Sequence, residues 1–246
     1  MQRVLMLVFG VLAFLNTGAL LASGPNTDFP KELTIKVAHH DMKTGKLLYE
    51  GIRKQVTENE KVSVVSTYTD MDGKLLDRSQ VAYERPSLRV LSYKSEDIRF
   101  GALEELTLTG NTLRISFRED KTASMATEDI KWGPETVHSS TVTEVINRDW
   151  AQLSAGENVE FDLVVPSRLE TLRFRLKKDK TTQVGGKSVL VVRMEPDSWL
   201  IRKLVDPMYF FLSYDMPHRL LEYHGRSGIK TSEGKDQDLR LVFTYE

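Results

Sequence analysis

From Leu33 to Tyr245 the chain alternates between apolar and polar residues, and turn residues interrupt the pattern at short intervals. Leu33–Val37 and Leu172–Leu176 alternate over their whole length, which is typical of half-buried β-strands. Asp72-Gly73 and Gly110-Asn111 each separate two alternating segments and predict tight hairpins. About a dozen strands with such short links predict a mainly β protein, as a barrel, half-barrel or sandwich. Of these we expect a single antiparallel curved sheet or half-barrel.

Polar or glycine-rich segments between the strands are interpreted as connections. Lys178-Asp179-Lys180 predicts a turn after the strand Leu172–Leu176, and Lys187–Met194 predicts the returning strand. Gly185-Gly186 lacks the lysine and the helix of a phosphate-binding loop and is also interpreted as a turn. Arg118–Asp129 predicts a solvated loop, so the carboxylates of Asp120, Glu128 and Asp129 in it are not taken as a catalytic pair.

Two segments depart from the β pattern and predict one or two short helices on the concave face of the sheet. Thr141–Leu153 carries its apolar residues at helical spacing. Thr141 and Glu144 have the spacing of a capping box, and Gly156 is a plausible helix stop. Ser198–Leu204 predicts a second, shorter helix.

The N-terminus has the order of a secretory signal peptide. Arg3 provides a positive charge, Val4–Leu15 is an uncharged apolar run, and small residues follow up to Ala22. We expect cleavage after Ala22, so that residues 1–22 are the signal peptide and residues 23–246 form a single β half-barrel domain. An uncleaved anchor is the alternative. It needs about 20 apolar residues, and residues 16–18 interrupt this run with Asn, Thr and Gly.

Composition narrows the function classes. The chain has no cysteine, which excludes a disulfide framework, a thiolate metal site and lipid attachment at a lipobox. Its formal net charge is −1, whereas a nucleic-acid partner normally needs a basic face. The sequence therefore predicts a periplasmic or secreted protein that has no nucleic-acid partner and no stable membrane span after signal cleavage.

The residues that most resemble chemical motifs have simpler interpretations. His39-His40-Asp41 lies at a strand end, where adjacent side chains point to opposite faces, so a shared metal ion is not expected. Gly225-Arg226-Ser227-Gly228 lacks the strand-to-helix context of a nucleophile elbow and predicts a bulge or turn. His138, His218 and His224 are isolated. We therefore expect no catalytic residues, no bound metal and no cofactor, and we predict that the protein is not an enzyme.

Met208–Leu212 is a continuous apolar run rather than an alternating one. Such a strand is covered on both faces. Both faces pack against core, or one face lines a hydrophobic cavity that holds an apolar ligand. The sequence does not distinguish a filled interior from a hollow one.

Three segments resemble a family of exported proteins. They are Asp149-Trp150-x-x-Leu153-x-x-Gly156-x-x-Val159-x-Phe161, Leu163-Val164-Val165-Pro166 and Leu204-Val205-Asp206-Pro207. Over roughly residues 45–246 the chain is similar to uncharacterised periplasmic domain-of-unknown-function proteins of Gram-negative bacteria, whose sheets are similar to the LolA-type lipoprotein carrier half-barrel. This resemblance implies an incomplete β-barrel wrapped around a helix, and the handling of a lipid or other apolar molecule. It carries over no catalytic residue.

Together these observations predict a non-enzymatic periplasmic binding or carrier protein for a lipid or other hydrophobic small molecule. The residues expected to face the interior and bind the ligand are Ile146, Trp150, Trp199, Phe210 and Leu212. The alternative is an envelope interaction or assembly module that binds an envelope protein and no small ligand. An envelope enzyme needs convergent titratable groups, which the sequence does not assemble. Arg173 and Arg175 alternate with apolar residues as in a transmembrane β-barrel, but helical insertions and the lack of an aromatic girdle disfavour that architecture.

Overall fold

The computed structural model describes residues 31–246. The predicted signal peptide at residues 1–22 lies outside the described residues. Fifteen strands form one sheet. In chain order the strands are β1 Glu32–Asp41, β2 Leu47–Glu58, β3 Lys61–Asp70, β4 Leu75–Glu84, β5 Val90–Asp97, β6 Leu103–Thr109, β7 Thr112–Arg118, β8 Ala126–Lys131, β9 Thr136–Val137, β10 Val159–Val165, β11 Glu170–Val184, β12 Lys187–Pro196, β13 Met208–Ser213, β14 Leu220–Arg226 and β15 Asp238–Tyr245.

Three short α-helices accompany the sheet: α1 Val142–Arg148, α2 Trp150–Ala155 and α3 Trp199–Arg202. Two single turns of 3₁₀ helix lie at Ser139–Thr141 and Pro166–Arg168. Among the described residues, no helix is long and apolar enough to cross a membrane.

The strand order is β8-β7-β6-β5-β4-β3-β2-β1-β15-β14-β13-β12-β11-β10-β9. The first and last strands of the chain are thus neighbours in the middle of the sheet, and Ile35 pairs with Tyr245 there. On each side the chain runs outward as a meander of antiparallel hairpins, and only the β9–β10 pair is parallel among the described strands. The predicted antiparallel curved sheet is confirmed.

The two edge strands β8 and β9 are consecutive in the sequence. Lys131 ends β8 and Thr136 begins β9, and five residue steps span at most about 18 Å. The edges of the sheet therefore approach each other at this end, although they do not pair. This closeness curves the sheet into a half-barrel with an inner and an outer face.

The expected strand number of about a dozen is too low, because β8 and β9 did not show in the alternation pattern. β8 is polar and largely exposed on both faces, and β9 has two residues. The predicted loop at Arg118–Asp129 is therefore wrong at its end, where Glu128 and Asp129 belong to β8. Arg114 of β7 donates to Asp129 across this edge at 2.8 Å.

The turn predicted at Lys178-Asp179-Lys180 is also wrong. β11 continues to Val184, and a bulge between Lys178 and Lys180 accommodates the polar residues without reversing the chain. The reversal occurs at Gly185-Gly186, as predicted, where both glycines have positive φ. Positive φ at two consecutive positions favours glycine in a two-residue hairpin turn.

The predicted helix at Thr141–Leu153 is broken at Asp149 into α1 and α2. The capping box is wrong: the Thr141 hydroxyl donates to the carbonyl of His138, and Glu144 is used elsewhere. Gly156 does end α2 as predicted, with a left-handed backbone at φ 94°. The first six residues of α1 are all buried, so this helix lies inside the half-barrel and fills part of it.

Candidate functional site

The five residues predicted to face a ligand differ in their burial. Ile146, Phe210 and Leu212 are fully buried within the continuous hydrophobic core. Trp150 is partly buried, and its ring stacks on His218 with centroids 3.6 Å apart. Trp199 is 63% exposed, so its predicted interior position is wrong: α3 lies beside β12 with its apolar side chains directed outward. Ligand contacts for the other four stay a prediction.

The described residues contain a cavity of about 430 Å³ at a different part of the inner face. Its floor is made by β4, β5 and β6, and the loop at residues 227–237 and the turn at Pro166–Arg168 complete it. Unlike the core around α1, the lining includes many polar and charged side chains, although apolar atoms form the larger part of its surface. The lining residues are Asp77, Ser95, Asp97, Ala102, Glu104, Phe117, Glu119, Ser167, Gly228, Lys230, Gly234, Lys235 and Asp236.

Arg99 holds the loop formed by residues 227–237 over the cavity through hydrogen bonds. Its guanidinium donates to the carbonyl of Lys230 at 2.9 Å and to Asp97 Oδ2 at 3.2 Å. The loop is also braced from within, because the Gln237 amide donates to the carbonyl of Ile229 at 2.8 Å. From its sequence, the segment Gly225-Arg226-Ser227-Gly228 is interpreted as a bulge or turn rather than a nucleophile elbow. Its first two residues end β14, and Ser227 and Gly228 begin the connection from β14 to β15.

Two carboxyl groups of the cavity have raised pKa values. Burial, together with the neighbouring Asp97, raises the pKa of Asp77 well above its usual value. Burial raises the pKa of Glu104 to about 8, and the Tyr93 hydroxyl, 3.5 Å away, opposes that rise. Near neutral pH Glu104 is therefore mostly protonated and acts as a hydrogen-bond donor as well as an acceptor, and the raised pKa of Asp77 favours the same form.

The ionised groups of the cavity are nearly balanced in sign. Asp97 is paired with Arg99, and Lys230 and Lys235 face the same space as Glu119 and Asp236. The raised pKa values of Asp77 and Glu104 reduce the negative charge of the cavity further. The cavity combines hydrogen-bonding groups with apolar surface, to which Ala102 and Phe117 contribute.

A row of small polar residues continues the cavity floor across the sheet. Ser95 pairs with Glu104, Ser79 with Ser95, and Ser66 with Ser79. Directly paired residues point to the same face, so these three serines, which we call the serine row, all face inward. Arg53 of β2 pairs with Ser66 and ends the row. Four strand spacings separate Arg53 from Glu104, which is about 19 Å.

A buried ion pair holds α1 against the inner face. Glu144 accepts from Arg85 Nη2 at 2.6 Å and from the Tyr83 hydroxyl at 2.7 Å. Burial, and next the charge of Glu144, raises the pKa of Tyr83 well above its usual value. These residues link α1 to β4 and the chain just after it, and they separate the filled side of the half-barrel from the side that holds the cavity.

The other candidate groups are not brought together. His39 lies inward against Tyr68, with ring centroids 5.2 Å apart, whereas His40 contacts the carbonyl of Gly45 in the adjoining turn. Between residues 31 and 246, no group of three or more His, Asp or Glu side chains is arranged to hold a metal ion.

Comparisons with known proteins find similar folds. No protein-family model and no curated protein matches the chain. A β-barrel-like protein of the domain of unknown function DUF1849 from Brucella abortus is similar over 87% of this chain and 94% of that chain, with 9% identity and a TM-score of 0.46. The Mycobacterium tuberculosis lipoprotein LppX (87% and 85% covered, 11% identity, TM-score 0.28) is another such structure.

A third similar structure is a putative outer membrane lipoprotein-sorting protein domain from Vibrio parahaemolyticus, covering 87% of this chain and 84% of that chain at 8% identity and a TM-score of 0.25. These neighbours include a domain-of-unknown-function protein and a lipoprotein-sorting domain, which are the two groups named in the predicted resemblance. At such identities the likeness concerns the fold alone.

Proposed function

We propose that this protein is a non-enzymatic binding or carrier protein of the cell envelope, which holds a lipid or other amphiphilic small molecule on the inner face of its curved sheet. The observation that carries the proposal is the cavity of about 430 Å³ on that face. Its volume lies in the range of about 300–1,000 Å³ that small-molecule sites occupy. A covering loop and the polar side chains of its lining distinguish it from a packing defect in the core.

The lining indicates what part of the ligand the cavity holds. The protonated carboxyl of Glu104 donates one hydrogen bond and accepts others, which suits hydroxyl, ester or amide groups. The cavity therefore holds a segment of the molecule that combines apolar groups with hydrogen-bonding groups such as an ester or a hydroxyl. An acyl chain contributes about 0.8 kcal/mol for each buried methylene. Contact of that chain with Ile146, Phe210 or Leu212 requires core side chains to move, because all three are fully buried.

The experiment is native mass spectrometry of the protein, produced from the full chain and purified from the envelope fraction without detergent, followed by organic extraction of any ligand. Ser95→Phe fills the cavity from its floor. Ser92→Phe places the same ring on the exposed outer face of the same strand and is the matched control. We expect a bound amphiphile in the wild-type protein and in Ser92→Phe but not in Ser95→Phe. Retention in a folded Ser95→Phe protein would show that the cavity is not the site.

An envelope interaction module is the second candidate, because α3 presents exposed apolar side chains. Trp199, Leu200 and Leu204 are 63%, 57% and 48% exposed, and large apolar groups clustered on a surface often mark interaction sites. Replacing Trp199 and Leu200 by serine should abolish capture of a specific envelope protein and leave a bound small molecule in place. Loss of the small molecule in that variant would instead connect α3 to the cavity.

A further inference from the structure

Arg53 is a buried cation without a counter-ion. It lies on the inner face of β2 with 1% of its surface exposed. Its Nε and Nη2 atoms have no hydrogen-bond partner, and no aspartate or glutamate of the described residues forms an ion pair with it. A guanidinium remains charged in proteins, so burial without a partner is strongly unfavourable for the free protein.

Arg85 shows how the same fold normally treats a buried guanidinium. Arg85 is also almost fully buried, and it donates to Glu144 at 2.6 Å. Both arginines lie on the inner side of the same sheet, but α1 provides a carboxylate to Arg85 and none to Arg53. The interior therefore supplies a counter-ion to one buried arginine and not to the other, so the lack of a counter-ion is specific to Arg53.

The neighbours of Arg53 on the inner face also have unused hydrogen-bonding atoms. Gln55 Oε1 and Thr57 Oγ1 follow Arg53 on β2 at two-residue spacing, and both ring nitrogens of His39 on β1 lack partners. These three side chains and Arg53 are all buried. Buried polar atoms are normally paired, so Arg53 and three neighbours with unpaired atoms on one sheet face indicate a polar group that pairs with some of them.

We propose that Arg53 is the anchor of an anion-binding subsite, which takes the carboxylate or phosphate end of an amphiphilic molecule. The planar guanidinium matches both oxyanions through paired N–H donors. The Thr57 hydroxyl, four residues further on the same face of β2, can supply another donor, and Gln55 Oε1 can accept from a protonated oxygen of the bound group. This proposal rests on the proposed function, because it assumes that an amphiphile enters the half-barrel.

Arg53 and the cavity lie on the same inner face of the sheet. Ser95 lines the cavity, whereas Ser66, Ser79 and Arg53 are buried beyond it, so a bound molecule reaches Arg53 only when the side chains that cover the serine row move. The serine row connects Arg53 to Glu104 over about 19 Å on the inner face. Serine combines a hydroxyl with a very small side chain, so the serine row is polar and projects only a short distance from the sheet. The anion therefore binds at the far end of the row from the cavity, with the rest of the molecule extending toward the covering loop.

The test is calorimetric titration of the full-length protein with three probes of the same chain length: dodecanoate, dodecyl phosphate and dodecanol. Charged hydrogen bonds contribute enough to give a preference of about tenfold to a hundredfold for the anionic probes over the alcohol. A higher affinity for dodecanoate would identify a fatty carboxylate as the natural class, and a higher affinity for dodecyl phosphate a phosphorylated amphiphile.

Arg53→Gln should reduce the preference to less than about threefold. Lys54→Gln, a charge removal at the next residue on the exposed outer face, should keep it. Arg53→Met should also raise the urea midpoint of the ligand-free protein, because an uncompensated buried charge is removed.

The outcomes separate the two proposals. Equal binding of all three probes, by wild-type protein and by Arg53→Gln, would overturn the anion subsite and leave the carrier function. A lowered urea midpoint in Arg53→Met would also overturn the subsite, since it would show that Arg53 has a structural partner. Binding of none of the probes by the wild-type protein would overturn both proposals.

Discussion

Arg85 Nη2 lies 2.6 Å from Glu144 Oε1, and only 6% of the first side chain and none of the second is exposed. This contact joins the chain after β4 to α1, which are 59 residues apart in sequence. It fixes the depth at which α1 enters the half-barrel. It also explains why Glu144 does not cap its own helix: the carboxylate serves as the counter-ion of the sheet.

Breaking this pair should strongly destabilise the fold. We expect Glu144→Ala to lower the free energy of unfolding by about 3–5 kcal/mol, because it removes the carboxylate that neutralises the buried charge of Arg85. Urea denaturation measures the change. The double variant Arg85→Met with Glu144→Leu removes both charges and should lose less than Glu144→Ala alone. A greater loss in the double variant would mean that packing around α1, not charge, dominates.

Glu104 should make the free energy of unfolding decrease as the pH rises. Its pKa is about 8 in the folded protein, against an ordinary value of 4.5 for a glutamate, so folding favours the protonated form. The stabilisation is fully present below about pH 4.5 and is lost as the pH rises through about 8. Glu104→Gln should therefore be more stable than wild type at pH 8.5 and similar at pH 4.5, as measured by urea denaturation.

The matched control is Glu105→Gln, whose side chain lies on the other face of β6 and pairs with Lys94. It should keep the wild-type slope of stability between pH 4.5 and 8.5. An unchanged slope in Glu104→Gln would show that Glu104 ionises freely in the cavity.

His39 should have the opposite effect and make the free energy of unfolding decrease as the pH falls. Burial lowers its pKa from 6.5 to about 3, so folding favours the neutral ring. The stabilisation is present above about pH 6.5 and is lost as the pH falls toward 3. His39→Phe removes this titration, and we expect a smaller loss of unfolding free energy between pH 7 and pH 4 than in wild type. His40→Phe, which leaves the buried imidazole in place, is the control. Equal acid sensitivity in all three proteins would contradict the prediction.

Phe210 and Trp199, both predicted to be ligand-facing, should differ sharply in their effect on stability. Phe210 is fully buried, and Phe210→Ala should cost about 3–5 kcal/mol through the lost contacts and the cavity left behind. Trp199 is on the surface, and Trp199→Ala should change stability by no more than about 0.5 kcal/mol. Thermal or urea unfolding of the two variants measures the difference. Comparable losses would place Trp199 in the core.

The sequence predicts the hairpins well because alternation and turn residues act locally. Asp72-Gly73 and Gly110-Asn111 lie where β3 meets β4 and where β6 meets β7. The edge strand β8 is missed because it is exposed on both faces, so burial imposes no alternation on it. The bulge in β11 is missed because Asp179 in a polar run has the appearance of a turn, whereas the pairing with β12 continues past it.

The candidate site is missed for a different reason. In β2 the apolar Ile52 and Val56 point outward, while Arg53 and Gln55 point inward. An expectation that apolar side chains face the interior assigns this strand the wrong phase. Only the tertiary arrangement shows that the polar face is the buried one. The residues selected for their apolar character, such as Ile146 and Leu212, are accordingly found in the filled part of the molecule.

The strand order has a consequence for the folding pathway. β1 pairs with β15, so residues from opposite ends of the chain must meet before the sheet is continuous, and such distant contacts slow folding. A circular permutant that connects Glu246 to Lys31 and opens the chain at Gly133, between the edge strands, would read β9 to β15 and then β1 to β8. The order of the strands along the chain would then be the same as their order across the sheet. Among the described residues, every neighbouring pair of strands in the native sheet is consecutive in the chain except β1 and β15 at its centre.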